Sequence, residues 1–325
     1  MRLSISKSME VGNGLIINND CLIAMEELID QWIKIDAIIT DTPYGTMNWA
    51  KLDWWENNKT SWDTAIEIKP LFEKCNKLLR MNWALILFSQ EPYTSKLITQ
   101  AHWNIPFNYR LIWKKDHFAN ALIAKKAPVS YFEDICVFTK EYDTEFNHPL
   151  RNYAINIINY IWKTKKEIFK EMGHQWICHF WRYDTLQFTL YTEKTHNQLI
   201  ELYWIDKMDW YMNYEELKEI QKRFKKRFNL PEWQKFKSNI LEYKKDYQGL
   251  HPTQKPVALM EDLIKTYTNE WELVLDFTMG SFTTAVASDN TNRKWIGIEM
   301  SEEYCKIWKE RILKNRLENK QTKCI

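Results

Sequence analysis

Apolar and polar positions follow two regimes along this 325-residue chain. Between residues 14 and 139, short apolar runs rich in β-branched residues recur between amphipathic stretches. Leu15-Ile16-Ile17, Ile35-Asp36-Ala37-Ile38-Ile39, Ala84 to Phe88, Phe107 to Trp113 and Ile135 to Phe138 read as buried strands. Asp20 is placed to cap a helix carrying Leu22, Ile23, Met25, Leu28 and Ile29 on one face. Residues 64–80 and about Pro92 to Ala101 read as two further helices, Lys114 to Ser130 as a polar loop, and residues 1–13 carry no clear pattern. From about Thr139 to Tyr247 the alternation stops, and charged and aromatic residues dominate around an exposed helical stretch at Glu215 to Ile220. The pattern resumes at Gly249. A helix from Val257 to Tyr267, a strand at Glu272 to Asp276, a helix carrying Ala285 to Ser288, a strand at Trp295 to Glu299 and a C-terminal helix capped by Ser301 follow. Strands separated by helices at this spacing predict an α/β fold with a doubly wound, mostly parallel sheet. The expected organisation is 14–139, an inserted region at 140–247, and 248–316 completing the first domain.

Two places in this pattern carry chemistry. The strand at Ile35 runs into Asp41-Thr42-Pro43-Tyr44-Gly45. A carboxylate at the C-terminal end of a strand lies where open α/β sheets bind ligands. Pro43 stiffens the turn and Tyr44 offers a flat face beside the acid, which suits a planar heterocycle bearing an amino group. On these residues alone an ordinary strand-ending Pro-Gly turn is the stronger reading. The second place is Asp276-Phe277-Thr278-Met279-Gly280-Ser281, a small-residue loop between a strand and a helix, followed about 20 residues later by Glu299 at the next strand end. Strand, loop, helix, strand and acid make a nucleotide-type site, with the helix N-terminus beside the ligand and the acid beside ribose hydroxyls.

Composition adds limits. Apolar residues make up 45% of the chain, enough for a real core. No apolar run approaches the ~18 residues of a membrane span, and the N-terminus lacks a signal-peptide core, so the expectation is a soluble, cytoplasmic chain. Six scattered cysteines form no Cys-x-x-Cys pair and read as reduced thiols. His174, Cys178, His179 and His196 are only loosely spaced, and no metal is expected. The net charge of +2 is unevenly spread: Lys222, Arg223, Lys225, Lys226 and Arg227 cluster with Phe224 and Phe228, and Lys235, Lys237, Lys244 and Lys245 continue the bias. That cluster is either a solvated helix face or a phosphate-contacting surface.

Glycine is scarce and tryptophan abundant, at 7 and 17 residues. A chain of this length ordinarily holds about 23 glycines at the roughly 7% average. Trp49, Trp54, Trp83 and Trp210 each follow Asn or Asp, where a turn glycine is the usual partner. A glycine codon read as tryptophan would explain this, as would an ordinary low-glycine, Trp-rich protein.

Taken together, these motifs resemble the S-adenosylmethionine-dependent amino-methyltransferases of DNA. Asp41-Thr42-Pro43-Tyr44 is similar to their Asp-Pro-Pro-Tyr motif, Asp276 to Ser281 to their cofactor loop, and His251-Pro252-Thr253-Gln254-Lys255-Pro256 to the signature preceding it. The order of the motifs resembles the beta-type arrangement, in which the intervening span is the target-recognition region. The resemblance implies a Rossmann-like methyltransferase sheet and methyl transfer from S-adenosylmethionine to adenine N6 of a base flipped from duplex DNA, as in restriction-modification systems. It also implies roles. Asp41 and the Thr42 carbonyl accept the amine hydrogens, Pro43 stiffens the turn, and Tyr44 stacks on the base. Glu299 takes the cofactor ribose, Asp276 and the backbone from Phe277 through Gly280 to Ser281 cradle its methionine end, Lys255 meets its carboxylate, and Asp20 approaches its adenine. Lys222, Arg223, Lys225, Lys226 and Arg227 would contact DNA phosphates. A homodimer is among the assemblies the resemblance allows. Asp41 favours adenine N6, since the cytosine enzymes more often carry Ser at that position; cytosine N4 is the alternative target. Methylation of RNA or of a protein amide is a further alternative. Two departures, Thr42 for the usual Pro and Phe282 for a common second glycine, leave open a relative that binds cofactor and turns over poorly. Trp83 and Trp271 stand where the family tends to have turn glycines.

Overall fold

A computed structural model describes residues 5–45, 64–119, 124–173, 179–222, 224–225, 227–246 and 254–322. The chain forms two compact units: Met1–Glu141 together with Arg227–Ile325, and Tyr142–Lys226.

Among the described residues the larger unit holds nine strands: β1 (Ser8–Val11), β2 (Gly14–Asn18), β3 (Ile35–Asp41), β4 (Leu79–Ser89), β5 (Phe107–Ala119), β6 (Ser130–Thr139), β7 (Ile240–Glu242), β8 (Leu273–Asp276) and β9 (Lys294–Glu299). They form one sheet in the order β1-β2-β9-β8-β3-β4-β6-β5-β7. The run β2-β9-β8-β3-β4 is parallel, as the alternation predicts. β6 lies antiparallel between β4 and β5. The helices in chain order are α1 (Cys21–Asp30), α2 (Ile68–Leu78), α3 (Tyr93–Thr99), α4 (Leu150–Ile161), α5 (Lys165–Met172), α6 (Glu193–Tyr203), α7 (Tyr214–Lys222), α8 (Val257–Tyr267), α9 (Thr283–Asn290) and α10 (Glu302–Thr322).

β3 shows why the sheet is covered on both faces. Ile35 and Ile38 pack with α1 and α2 residues Met25, Leu28, Leu71 and Phe72. Ala37 and Ile39 point the other way, onto Leu259, Leu263 and Tyr267 of α8. A strand buried on both sides needs a continuous apolar run, which Ile35 to Ile39 nearly is. Asp36 interrupts it only at the N-terminal end, where it accepts from Leu273 N–H and pairs with Arg80.

Three elements depart from the pattern reading. β1 is a half-buried edge strand with mixed side chains, so its period was faint. β7 is three residues long with only Leu241 buried, too short to register. β5 extends to Ala119, through part of the span read as a loop, because its strongly polar end pairs with β6.

The smaller unit contains α4 to α7 around Leu150, Tyr153, Phe180, Trp181, Tyr191, Leu199 and Leu217. Its buried polar groups are tied together. Arg151 donates to Asp143 Oδ2 over 3.0 Å and to the carbonyls of Tyr183 and Thr185. His196 lies between the hydroxyls of Tyr191 and Tyr211 at 3.1 and 3.0 Å. Residues 227–246, part of the span assigned to the insertion from pattern, lie in the larger unit. Among the described residues no group of three His, Cys, Asp or Glu is arranged to hold a metal. His174 and Cys178 lie outside the described residues, as do residues 46–63 with Trp49 and Trp54. Among the described residues no helix is long and apolar enough to cross a membrane.

Candidate active site

β3, β8 and β9 are neighbours and parallel, so their C-terminal ends share one rim of the sheet. Each ends in an acid: Asp41, Asp276 and Glu299. All three line a cavity of about 660 Å³. That volume lies within the usual range for sites that enclose small organic ligands. Asp20, Thr42, Pro43, Tyr44, Glu133, Lys255, Phe277, Gly280 and Ser281 also line it. The structure thus brings together every residue that the resemblance assigns to the target base and the cofactor.

The Asp41 turn is braced. Tyr44 donates its hydroxyl to Asp41 Oδ1 over 2.7 Å. Its phenol is held well above its ordinary range by burial and by the negative charge of Asp41 and Glu133. Thr42 is buried, and the Tyr44 ring lies 5.7 Å from that of Tyr93. Lys255, just before α8, donates to Asp41 Oδ2 over 2.5 Å and lies 3.1 Å from Glu133 Oε2. Lys255 is therefore directed at two protein carboxylates. Glu133, on β6, also pairs with Lys115 on β5. Burial works to raise the Glu133 carboxyl, but Lys255 and Lys115 outweigh it and hold it below the ordinary carboxylate range. Burial likewise works to lower Lys255, and Asp41 and Glu133 overcome it, so the ammonium sits above its ordinary range. Sequence reasoning missed Glu133 and Lys115. The signal available was a pair of acids, Glu133-Asp134, opening an apolar strand; Lys115 sat in a stretch read as loop.

The loop after β8 is organised from within. Asp276 Oδ1 accepts from the Thr40 hydroxyl over 2.7 Å and from Thr278 N–H over 3.1 Å, while Oδ2 accepts from the Thr284 hydroxyl over 2.5 Å. Burial pushes its carboxyl up to about 6. With both oxygens engaged, Asp276 shapes the loop from behind. Glu299 accepts from Gly280 N–H over 2.9 Å and from Ser301 N–H over 2.8 Å. Burial raises its carboxyl above the ordinary range. Gly280 has φ +45, a left-handed backbone that glycine adopts freely. Gly297 leaves room for Met279: a Cβ there would lie 2.1 Å from the Met279 sulfur. Phe282 also has positive φ, at the N-terminus of α9, and its ring is fully buried beside Trp295 and Val286 rather than lining the cavity. It therefore does not crowd a ligand. Asp20 caps α1, its Oδ1 accepting from the N–H groups of Leu22 and Ile23.

The basic cluster is divided. Lys222 ends α7 and pairs with Glu219, and Lys225 is exposed. Arg227 belongs to the larger unit and lies over the Trp83 ring at 5.6 Å. It is thus not part of one continuous basic helix face. Arg223 and Lys226 lie outside the described residues.

The chain matches known proteins in family and in fold. The family described as DNA methylase matches residues 35–310. The type II methyltransferase M2.LlaDCHI of Lactococcus lactis subsp. cremoris is 37% identical over 106 residues, 32% of this chain and 36% of that protein. The DNA adenine methyltransferase YhdJ of Escherichia coli (strain K12) is 42% identical over 72 residues, 22% of this chain and 24% of that protein. The chain thus matches well under half the length of these relatives. The crystal structure of an M1.HpyAVI–SAM complex superimposes with a TM-score of 0.54 at 19% identity, covering 92% of this chain and 98% of that one. At that identity the likeness is one of fold.

Proposed function

Because the chain belongs to the N6/N4 family of DNA methylases, we propose that it methylates adenine N6 in duplex DNA with S-adenosylmethionine as methyl donor. The observation that carries this reading is the single cavity at the ends of β3, β8 and β9, where Asp41 and Tyr44 face the same space as Gly280 and Glu299.

The residues fit the cofactor. The cavity is large enough, and Glu299 keeps carboxylate lone pairs beyond those used by Gly280 and Ser301. The Gly280 turn allows close backbone approach to the methionine end. Bound S-adenosylmethionine supplies an electrophilic methyl group on a positively charged sulfur. Glu299 would hold the ribose hydroxyls, the backbone from Phe277 to Ser281 the methionine end, and Asp20 the adenine side. Asp276 would keep that loop in shape.

At the other end of the cavity, the exocyclic amine of a flipped adenine is a weak nucleophile, because its lone pair is drawn into the ring. Asp41 and the Thr42 carbonyl would accept its two hydrogens and turn that lone pair out of the ring plane. Tyr44 would stack on the base. Positioning of this kind, with acceptors fixed before the substrate arrives, is where the rate enhancement arises. Lys222 and Lys225 on the smaller unit would contact phosphates, and that unit would supply target recognition.

Incubation with tritiated S-adenosylmethionine and unmethylated duplex DNA, followed by nucleoside analysis, tests the reading. Label in N6-methyladenine is expected. Label in N4-methylcytosine would overturn the choice of base, and cofactor binding without transfer would overturn the enzymatic reading.

A further inference from the structure

Four charged side chains alternate in sign, Asp41, Lys255 and Glu133 lining the cavity and Lys115 lying behind Glu133. They come from β3, the segment before α8, β6 and β5, so the fold converges four separate elements on one relay. Lys255, Glu133 and Lys115 have side chains only 8%, 13% and 6% exposed. Charges this buried persist only when paired, and here each inner member touches two opposite partners. Lys255 also lies 5.1 Å from the Phe88 ring centre.

We propose that Lys255 is a positioning residue for methyl transfer, fixing the Asp41 carboxylate through Oδ2 while Glu133, backed by Lys115, fixes Lys255. The proposal rests on the methyltransferase reading. Tyr44 holds Oδ1 and Lys255 holds Oδ2, so the carboxylate cannot rotate. An ionised carboxylate has about four acceptor sites. Two are spent here, so the remainder can accept from a substrate amine. The other charged or titratable groups around Asp41 are Tyr44, Glu133, Lys115 and Asp276. The assignment also replaces the expected role of Lys255 as clamp for the cofactor carboxylate: two protein carboxylates already share its ammonium.

The test compares Lys255→Met, Lys255→Arg and Glu133→Gln in the full chain. Cofactor affinity is measured by calorimetry with S-adenosylmethionine alone, and methyl transfer by single turnover at saturating cofactor. Lys255→Met should lose about 100-fold or more in rate while the cofactor Kd moves by about threefold or less. Lys255→Arg should recover at least about tenfold of that loss, and Glu133→Gln should fall between. A cofactor Kd weakened more than about tenfold, with the saturated rate intact, would overturn the proposal in favour of the clamp. A rate unchanged in both Lys255→Met and Glu133→Gln would overturn it outright. If the wild-type chain methylates no DNA, the methyltransferase reading is what fails. The carboxyl carbon resonance of Asp41, compared at one pH in wild type and Lys255→Met, then decides the contact: a displaced resonance supports it and an identical one overturns it.

A different observation carries a second inference. Among the described residues, nine non-glycine residues have positive φ, and four of them are tryptophan: Trp32, Trp162, Trp204 and Trp271. Bulky residues rarely adopt this backbone, whereas glycine adopts it freely. Three follow helices. Trp32 closes α1 in a Schellman motif, with Ile33 N–H donating to Leu28 O and Trp32 N–H to Ile29 O. Trp162 and Trp204 close α4 and α6 in the left-handed conformation. Those are the positions where helices most often carry glycine. The four residues are 76%, 91%, 68% and 60% exposed, so packing does not demand a large ring. By contrast, Trp83 is buried in the core and both it and Trp210 have ordinary backbone. We infer that the protein made in its own cell carries glycine at positions 32, 162, 204 and 271, through a codon that cell reads as glycine. Peptide mass spectrometry of the protein purified from its source tests this. Glycine masses at Trp162 and Trp204 are expected, and tryptophan masses there would overturn the inference.

Discussion

The hydroxyl of Thr278 donates to the main-chain carbonyl of Asp41 over 3.0 Å, joining residues 237 apart in sequence. With the Thr40–Asp276 bond, this contact fixes the spacing between the loop after β8 and the turn that would hold the target base. Thr278→Val should keep the fold and lower the methyl-transfer rate by about fivefold, the scale of one lost hydrogen bond of about 1 kcal/mol. Thr278→Ser should retain most of the rate. Single-turnover kinetics of the two variants checks this.

Asp41→Ala removes the proposed acceptor and leaves the cofactor loop intact. Methyl transfer should fall by about 100-fold or more. Affinity for S-adenosylmethionine should stay close to that of wild type, read by calorimetry. Wild-type turnover would refute the role given to this carboxylate.

Asp276 gives a pH signature of stability. Its folded-state value of about 6 lies above that of an ordinary carboxyl, so the folded form binds the extra proton more tightly. Its contribution is greatest at the acid end and is lost as pH rises from about 4 to about 6. Over that window the cost of ionising it in the fold reaches about 3 kcal/mol at most. Asp276→Asn should abolish this component. Urea unfolding of both proteins from pH 4 to pH 7 (about the window in question) should show the wild type losing stability relative to the variant.

The basic cluster predicts a salt effect. Replacing Lys222, Arg223, Lys225 and Lys226 by Ala should weaken duplex binding and flatten its log–log salt dependence, by about 0.9 for each phosphate contact removed. Arg227, seated over Trp83, should contribute little to that slope. An unchanged slope for the four-residue variant would mark the cluster as a solvated helix end.

The left-handed tryptophans make a stability prediction on recombinant protein. Trp162→Gly and Trp204→Gly should each stabilise the chain by about 1 kcal/mol, because glycine relieves the clash between Cβ and carbonyl at positive φ. Chemical denaturation of the single variants measures it.

Much of this was legible along the chain. Ile35 to Ile39 declared a strand buried on both faces, and Asp20 a helix cap, because period and capping are local properties. Asp41, Asp276 and Glu299 could be placed at strand ends for the same reason. Partners set by tertiary pairing were hidden. Nothing near Lys255 in sequence says that Asp41 and Glu133 will receive its ammonium, since these lie 214 and 122 residues away. Asp276 looked like a ligand-facing acid, and only the three threonines around it turn it inward. Phe282 looked like an obstruction until its ring was found behind the helix it begins.

The parallel pairing of β3 with β8 has a consequence for synthesis. At about 5–20 residues per second, the ribosome delivers β8 tens of seconds after β3. Throughout that interval β3 has an open edge where Ala37 and Ile38 will meet Val274 and Leu275. A nascent chain stopped before Asp276 would hold the Asp41 turn with no loop to complete its cavity. Assembly of this pocket is thereby reserved for chains whose translation has passed its last two strands.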